Sequence, residues 1–498
     1  MGFEIEEEDR ALLEKLTPVV RGVRLELPEP VDCPRCLLKR RVSWRNDMNL
    51  YRAQCAMSGK QIVSMYRSDG GFRSVAAEEW WGDDWDAKQY GRDYDFDRGF
   101  FEQFAELLKE VPRMSLAIAS SENSDYTNYN IWMKNCYLCF AGNGSEDCMY
   151  CYNAQDCRDC VDMLFSDDCE LCYEGTGLSG CYQCFYSDHS VNCSDCWFVT
   201  DCIGSKDCIA SSGLRNAQYC ILNKQYTREE YERRKAEILK DLEAARKWWE
   251  IERAKLPQRE SHNRQAEDCE GEYIVQSKNC KKCYIMAKGG EDCRYIFNGF
   301  PDFKDSMHCA WAGENSQLDY ECIAGGSECE RRYFTNVCFS GCSNVFYSDY
   351  CVGVKNVFGC SGLQKAEYCI LNKQYSKEEY EELVPRIVQS MRERGEWGKF
   401  FPAEMSPFAY NESWAQILFP LEKEEALARG LQWFDGEDAV TTEAQEGARK
   451  CEVTGKPFKI LEAEKKFYQR FGLPEPKKCF DQRHRERWAL RKGFDGIF

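Results

Sequence analysis

The chain has 498 residues, and its 84 Asp and Glu residues outnumber its 66 Lys and Arg residues, which gives a formal net charge of −18. A chain this acidic repels a polyanion as a whole, so binding to nucleic acid would require a local basic patch. The length predicts several domains or one long repeat array, and 28 Phe, 27 Tyr and 13 Trp residues are enough to form a large apolar core.

The 32 cysteines allow two interpretations: a secreted scaffold held by disulfides, or an intracellular protein that uses thiols or metal ions. The first 16 residues, MGFEIEEEDRALLEKL, are acidic and lack the basic start and apolar run of a secretory signal. No stretch approaches the roughly 18 apolar residues that a membrane span needs. We therefore predict a cytoplasmic protein without a membrane partner, whose cysteines are reduced or bound to metal.

Residues 1–66 are predicted to form an acidic leader, with a short helix around residues 10–16, followed by a small zinc-ribbon-like module. Residues 67–134 are rich in aromatic and acidic residues, and apolar residues follow helical spacing from Phe100 until Pro112 ends the run. Large apolar side chains are usually buried, so we predict that this stretch is a packed cap over the repeats that follow rather than a ligand pocket.

Residues 135–226 contain a cysteine repeat, in which successive C-x-x-C pairs begin 12, 9, 12, 12 and 12 residues apart. The pairs are Cys136 and Cys139, Cys148 and Cys151, Cys157 and Cys160, Cys169 and Cys172, Cys181 and Cys184, and Cys193 and Cys196. Such a period is too short for two helices but long enough for two short strands and two turns. We therefore predict a β-solenoid of about 12 residues per coil. Because residues i and i+3 face opposite sides of a straight strand, each pair is predicted to mark a corner.

The repeat region is duplicated. The segment GLRNAQYCILNKQY from Gly213 matches GLQKAEYCILNKQY from Gly362 at an offset of 149 residues, which places a second solenoid array at residues 261–375. The predicted fold class is thus mainly β: a duplicated cysteine-rich β-solenoid with capping helices, and with small treble-clef-like zinc modules at both ends of the chain.

Each array is followed by a predicted capping helix. Thr227 and Ser376 each have a glutamate three residues later, which is the pattern of a capping box. Residues 227–260 are predicted to form one long charged helix. Residues 376–447 are predicted to form a helical segment and a linker, with a kink or break at Pro385.

The solenoid cysteines have four interpretations. Buried thiols, which we favour, fit because free Cys is small and apolar, and stacked coils need small inward side chains. Zinc or another soft metal could instead be held between coils, which stack about 4.8 Å apart. Disulfides fit this spacing but not the inferred compartment. Iron–sulfur ligation lacks the expected C-x2-C-x2-C run.

Two related cysteine modules lie at opposite ends of the chain, the second of them in residues 448–498. One piece, a turn of the form C-x-x-x-G-K, begins at Cys55 and again at Cys451. The other piece begins at Cys33 and at Cys479, and the two pieces occur in opposite order. Tight turns of this kind bring the ligands of a tetrahedral zinc ion together, so we predict a treble-clef-like zinc module at each end.

The set of ligands is incomplete in both modules. The predicted zinc ligands are Cys33, Cys36 and Cys55 in the first module, and Cys451, Cys479 and His484 in the second. Ser58, Thr454 and Gln482 stand where further cysteines are expected. By this ligand count zinc is expected at the N-terminal module, whereas the C-terminal one is also consistent with a module that kept its fold after losing its metal.

Basic residues cluster in both modules. The candidate nucleic-acid contacts are Arg35, Lys39, Arg40, Arg41, Arg45, Arg483, Arg485, Arg487 and Arg491. Trp44 and Trp488 lie among them, and Lys or Arg next to aromatic residues suits phosphate contact and base stacking. The alternative, which we favour, is a solvated helix face whose arginines pair with acidic neighbours.

No constellation for catalysis is visible in the sequence. Its four histidines are not in a recognisable Cys–His or Ser–His setting, and there is no P-loop or dinucleotide motif. We therefore predict a non-enzymatic, zinc-containing binding or scaffold protein that presents an extended solenoid surface to a protein or RNA partner. Two alternatives stay open: a nucleic-acid- or ribosome-associated factor that binds through the basic modules, and a reservoir of soft metal or thiol.

Several sequence segments also resemble those of a known protein family. They are IVSMY from Ile62, WWGDDWDAKQYGRDYDFDRGFFEQF from Trp80, the NCxxC repeats, CILNKQY, FPLEKEEALARG from Phe419 and DQRHRERW from Asp481. Through these segments, which span nearly its whole length, the chain resembles a family of uncharacterised cysteine-rich repeat proteins of candidate-phyla bacteria. The resemblance implies a single architecture with zinc-ribbon-like ends and an intracellular bacterial origin, and it implies no activity.

Overall fold

The computed structural model describes residues 3–161, 185–188, 190–257, 259–286, 288–299, 302–310, 313–436, 447–489 and 493–497, with Phe185–Asp188 described by their backbone alone. Within these ranges the chain forms mainly β-structure, arranged as β-solenoid coils with helices at their ends, which confirms the predicted coarse architecture. The predicted solenoid cysteines Cys169, Cys172, Cys181 and Cys184 lie outside the described residues, and so does Arg491.

The coils of the first array are built from three-residue sides. A residue with positive φ recurs at every third position, for example Asn135 at 52°, Leu138 at 49° and Ala141 at 56°. Each of these residues turns the chain, so that the residue after it points into the coil. Leu138 lies between Cys136 and Cys139, and both cysteines are buried. The prediction that a C-x-x-C pair spans a corner is therefore confirmed.

Successive coils pair in parallel, and the second array contains 13-residue coils as well as 12-residue ones. In the first array Lys134 pairs with Glu146, which is 12 residues further on. In the second array Glu291 pairs with Lys304, and Lys304 pairs with Gln317, each 13 residues further on. The extra residue in these coils interrupts the 12-residue cysteine spacing in this part of the second array.

Most strands belong to the two arrays. Before them lie β1 (Val19–Val20), β2 (Val23–Arg24), β3 (Tyr51–Gln54), β4 (Gln61–Ser64), β5 (Ser74–Val75) and β6 (Arg113–Met114). The first array contains β7 (Ile118–Ala119), β8 (Tyr126–Asn128), β9 (Asn130–Ile131), β10 (Tyr137–Phe140), β11 (Phe185–Asp188), β12 (Trp197–Thr200), β13 (Lys206–Ser212), β14 (Gln218–Ile221) and β15 (Lys224–Gln225). The second contains β16 (Gly271–Ile274), β17 (Cys283–Met286), β18 (Glu291–Arg294), β19 (Phe297–Gly299), β20 (Lys304–Met307), β21 (Glu330–Tyr333), β22 (Ser343–Phe346), β23 (Lys355–Phe358), β24 (Glu367–Ile370) and β25 (Lys373–Gln374). The C-terminal region adds β26 (Arg449–Lys450) and β27 (Pro457–Phe458). In each array the last strand turns back antiparallel and so closes the stack.

The helices lie outside the coils. They are α1 (Glu7–Leu16), α2 (Pro34–Val42), α3 (Ala77–Trp81), α4 (Phe100–Glu110), α5 (Arg228–Ile238), α6 (Leu242–Arg253), α7 (Lys377–Glu393), α8 (Trp414–Leu418), α9 (Lys423–Ala428), α10 (Glu462–Phe471), α11 (Phe480–Ala489) and α12 (Phe494–Ile497). As predicted, the side chains of Thr227 and Ser376 cap the helices α5 and α7 that follow the arrays. None of the described helices combines the length and the apolar character needed to cross a membrane.

Two helix predictions need correction. Residues 227–260 do not form one long helix, because α5 ends at Ile238 and Asp241 begins α6 by accepting a backbone hydrogen bond at 3.0 Å. The second helix does not break at Pro385, since α7 runs through it. Burial of Val384 and of other apolar residues on the same face offsets the backbone hydrogen bond that proline cannot make.

The two arrays lie side by side and run in opposite directions. Near the end of the first array, Asp201 Oδ1 lies 2.8 Å from Nε2 of His262, at the beginning of the second array. At the other end, Tyr129 of the first array and Tyr350 of the second have their hydroxyl oxygens 3.1 Å apart. The beginning of each array is therefore next to the end of the other.

The N-terminal region is fixed to the second array by a buried ion pair. Arg113, at the start of β6, pairs with Asp349 at 2.6 Å, and both side chains are inaccessible to solvent. The guanidinium carbon of Arg113 lies 5.2 Å from the ring centres of Tyr66 and Tyr350. Since Tyr66 follows β4 closely, this cluster holds the strands β3 and β4 in place beside the arrays.

Candidate binding cleft

The two related modules each contain a β-hairpin with the same turn. In hairpin 1 (β3, β4 and the turn between them), the N–H of Cys55 donates to the carbonyl of Lys60 at 2.8 Å. In hairpin 2 (β26, β27 and their turn), Cys451 donates in the same way to Lys456 at 2.9 Å. The glycine of each turn has a positive φ, 74° and 70°, which accounts for the shared C-x-x-x-G-K pattern.

Cys451 and Cys479 of the second module lie close together. The N–H of Thr454 donates to Cys451 Sγ at 3.5 Å, and its hydroxyl lies 3.8 Å from Cys479 Sγ. The structure corrects the prediction that His484 is a zinc ligand together with these cysteines, since among the described residues the three do not form a group that could hold a metal ion. It is buried among aromatic rings, 5.3 Å from the ring centre of Tyr152, because it lies on the inner face of α11.

The predicted ligands of the first module have separate environments. Cys33 and Cys36 lie at the start of α2, where burial and a hydrogen bond with Cys33 raise the pKa of Cys36. The thiol of Cys55 donates to Glu79 Oε2 at 3.1 Å. In the part of the chain that the structure describes, no three His, Cys, Asp or Glu side chains are grouped so that they could hold a metal ion. The donor sets do not fit a zinc site, and zinc binding stays a prediction that elemental analysis of the purified chain tests.

The described solenoid cysteines lie within hydrogen-bond reach of backbone carbonyls. Cys148 Sγ lies 3.3 Å from the carbonyl oxygen of Glu146 and 3.5 Å from that of Cys157, so its S–H can donate within its own coil or to the next. The 28 cysteines among the described residues are all free, which leaves no disulfide between any two of them. Burial raises the pKa of Cys151 well above its ordinary value, so this thiol stays protonated and unreactive.

This arrangement predicts which thiols react in the folded protein. Of the described cysteines, Cys36 is exposed, Cys33 and Cys269 are partly exposed, and the rest are buried. We expect alkylation of the native chain to modify Cys36 first and then Cys33 and Cys269, as read by peptide mass mapping. Cys148 should react only after unfolding in denaturant, which serves as the control. Rapid modification of Cys148 in the native chain would contradict the closed coil.

Four of the predicted nucleic-acid contacts are wrong, because the arginines are buried. Their exposed fractions are 0% for Arg41, 3% for Arg45, 7% for Arg483 and 6% for Arg487. Arg45 pairs with Asp47 at 2.6 Å, and its guanidinium carbon lies 3.9 Å from the ring centre of Tyr129. Arg41, Arg45 and Arg483 make ion pairs or cation–π contacts inside the protein. The other described candidates are Arg35 beside Asp495, Lys39 over the ring of Tyr410, Arg40 beside Asp32, and the exposed Arg485.

A cleft of about 600 Å³ lies between the two hairpins. Hairpin 1 forms one wall through residues 61–63, and hairpin 2 forms the other through residues 456–459. The floor comes from the first coils of the solenoid, mainly through Tyr126 and Tyr137. Three parts of the chain that are remote in sequence thus form one concave surface, which is the usual shape of a ligand site.

The tyrosines of the floor stand on successive coils. The ring centres of Tyr126 and Tyr137 are 5.4 Å apart, and those of Tyr137 and Tyr150 are 5.8 Å apart. Tyr150 is buried and donates a hydrogen bond to Glu464 Oε2 at 2.8 Å. Tyr126 and Tyr137 are half-buried and present part of their rings to the cleft. Burial raises the pKa of Tyr137 to about 12, so its hydroxyl remains a hydrogen-bond donor at neutral pH.

Charges of both signs line the cleft. The cations are Arg52, Lys456, Lys459 and Arg483, and the anions are Glu78, Asp125 and Asp481. Lys456 and Asp481 lie 3.8 Å apart, which is a loose ion pair at an exposed position. The chain as a whole has a charge of −18, whereas the cations and anions that line the cleft are nearly equal in number. An acidic ligand is therefore not repelled at the cleft.

The residues of this cleft were not predicted from the sequence. Gln61, Tyr126 and Tyr137 carry no motif of their own, and their proximity depends on contacts between remote segments. The one available signal was the repeated C-x-x-x-G-K turn, which marks the two hairpins without indicating that they face each other.

Comparison with protein-family models finds no match to this chain. Searches of curated proteins and of solved structures also find none.

Proposed function

We propose that this chain is a non-enzymatic binding or scaffold protein, and that its recognition site is the cleft between hairpin 1 and hairpin 2. The observation that carries the proposal is that two related hairpins from opposite ends of the chain form facing walls over a floor of solenoid tyrosines. The arrays hold the walls at a set separation, and the modules supply the contact surfaces.

The walls are held by hydrogen bonds, which favours a pre-formed site. Beside hairpin 1, the N–H of Met65 donates to the carbonyl of Ser115 at 2.8 Å. Beside hairpin 2, the hydroxyl of Tyr150 donates to Glu464 at 2.8 Å and lies 3.3 Å from the carbonyl oxygen of Lys459. A pre-formed site loses less conformational entropy on binding than a flexible one, and so binds more tightly for the same contacts.

The composition of the lining favours binding over catalysis. Aromatic rings, apolar side chains such as those of Ile62 and Phe458, and charged groups of both signs line the cleft together. Protein interfaces combine apolar and polar contacts in this way. No histidine lies among the described residues that line the cleft, and the Cys479 thiol there has a pKa raised by burial.

Site-specific photo-crosslinking tests the proposal. We expect a benzophenone amino acid in place of Tyr137 to give a discrete adduct when the full chain is irradiated in its native cells. The matched control is the same probe in place of Trp132, which is also on the first array and is 66% exposed but does not line the cleft. If no adduct forms at position 137, or if both positions give the same adducts, the cleft is not the recognition site.

A further inference from the structure

The hydrogen-bond pattern of hairpin 1 shows which backbone groups of β4 face away from β3. Antiparallel strands alternate between residue pairs that bond to each other and pairs that point outward. The bond from Cys55 N to Lys60 O fixes this alternation, so that Ile62 bonds inward to its partner on β3. Gln61 and Val63, on either side of it, therefore direct their N–H and C=O groups away from β3.

Two further bonds support the assignment. Just past β3, Ala56 N donates to Ser74 O at 2.8 Å, and just past β4, Met65 N donates to Ser115 O at 2.8 Å. Each of these residues is in the outward phase of its own strand, and Met65 is in the same phase as Gln61 and Val63 on the outer edge of β4. This edge thus already accommodates a backbone hydrogen bond at Met65.

Before Met65, at Gln61 and Val63, this edge faces the cleft. After Ser115 the chain turns away, as the bond from Ile118 N to Leu116 O shows. Gln61 and Val63 line the cleft, and in the described part of the structure no hydrogen bond beyond hairpin 1 reaches their backbone groups. An unpaired strand edge beside an aromatic floor is the geometry by which proteins add an extended peptide to a sheet.

The corresponding edge of hairpin 2 is closed. The residue equivalent to Gln61 is Pro457, which has no N–H to donate. The hydroxyl of Tyr150 already lies 3.3 Å from the next outward carbonyl oxygen, that of Lys459, where the N–H of an added strand would have to approach. Strand addition in the cleft is therefore directed to β4, and hairpin 2 acts as the opposite wall.

We propose that the cleft binds an extended peptide segment of a partner protein, which adds as a strand to the outer edge of β4; this rests on the cleft being the recognition site. Side chains of a strand alternate between two faces. One set lies over Tyr126 and Tyr137 and is apolar. The other set lies beside the cations of the walls, Arg52 and Lys456, and is acidic. The peptide continues the line of pairing that Met65 and Ser115 begin.

Selection from a displayed library of heptapeptides, with the full chain as target, supplies the probe. We expect the selected peptides to alternate apolar with Asp or Glu residues. We expect the affinity of one synthetic selected peptide to fall about tenfold for Gln61→Pro, since the variant removes one edge donor. Gln61→Ala keeps the N–H and should leave the affinity within about twofold of wild type. Hairpin 2 carries proline at the equivalent place, so the variant hairpin is expected to fold, which circular dichroism checks.

Strand addition is overturned if no peptide is selected, or if the selected peptide binds Gln61→Pro and Gln61→Ala equally well. Methylation of alternate backbone nitrogens of the peptide provides a second readout, because it removes the partner's donors without changing its side chains. Equal binding of the methylated and unmethylated peptides also overturns it. The crosslink from position 137 distinguishes the two proposals. If an adduct forms but peptide binding does not depend on the edge of β4, the cleft remains a binding site and the added strand is excluded.

Discussion

Replacement of Arg41 by Met is expected to lower the free energy of unfolding by about 3–5 kcal/mol, because it leaves a carboxylate buried without its partner. Arg41 forms an ion pair with Glu321 of the second array, and the two side chains are 1% and 2% exposed. Glu321 also accepts a hydrogen bond from His308 Nδ1 at 2.6 Å. Burial alone would raise the pKa of Glu321, but Arg41 and His308 hold it below its ordinary value.

Chemical denaturation measures this effect, and two variants control it. Arg485→Met removes an exposed arginine of α11 and should change the free energy of unfolding by less than about 0.5 kcal/mol. Adding Glu321→Gln to Arg41→Met removes the unpaired charge, so the double variant should recover part of the loss. If Arg41→Met is as mild as Arg485→Met, Arg41 does not stabilise the fold through this pair.

The solenoid was predictable because its period is a local property of the chain. A turn at every third residue, such as Leu138, lets Cys136 and Cys139 both point inward, and the cysteine spacing reports that turn directly. The capping residues Thr227 and Ser376 were predictable for the same reason, since a capping box involves residues only three apart. Each of these features is specified within a single coil or helix turn.

The features that were missed depend on contacts between remote residues. Arg41 appeared to belong to a basic patch because its neighbours in sequence are basic, whereas its partner Glu321 is 280 residues away. The 13-residue coils of the second array conceal their period, because one side of each such coil has an extra residue. The cleft could not be predicted for the same reason as the Arg41–Glu321 pair, since its two walls come from opposite ends of the chain.

The joint between the arrays provides the second large effect, because a buried histidine there bridges two carboxylates. His262 Nε2 lies 2.8 Å from Asp201 of the first array, and its Nδ1 lies 2.5 Å from Glu272 of the second. Its ring stacks on Tyr273 at 5.0 Å. Burial alone would lower the pKa of His262, but hydrogen bonds and attraction from Asp201 and Glu272 outweigh it and raise the pKa to about 9.

A raised pKa in the folded state means that the protonated histidine stabilises the fold. The contribution is complete below the unfolded pKa of about 6.5 and is lost as the pH rises through about 9, a total of about 3 kcal/mol. We expect His262→Gln to be less stable than wild type by about this amount at pH 6 and to converge with it above about pH 9. Denaturation at a series of pH values measures the difference between the two chains.

Only that difference is diagnostic, because buried thiols whose pKa is raised in the folded chain also make the fold less stable in alkali. Cys151, for example, has a raised pKa in the folded chain, whereas an unfolded cysteine ionises near about pH 8.5. Both chains share this loss, so subtraction removes it and leaves the contribution of His262. A difference that stays constant from pH 6 to beyond about pH 9 would show that His262 contributes through packing against Tyr273, and not through its charge between Asp201 and Glu272.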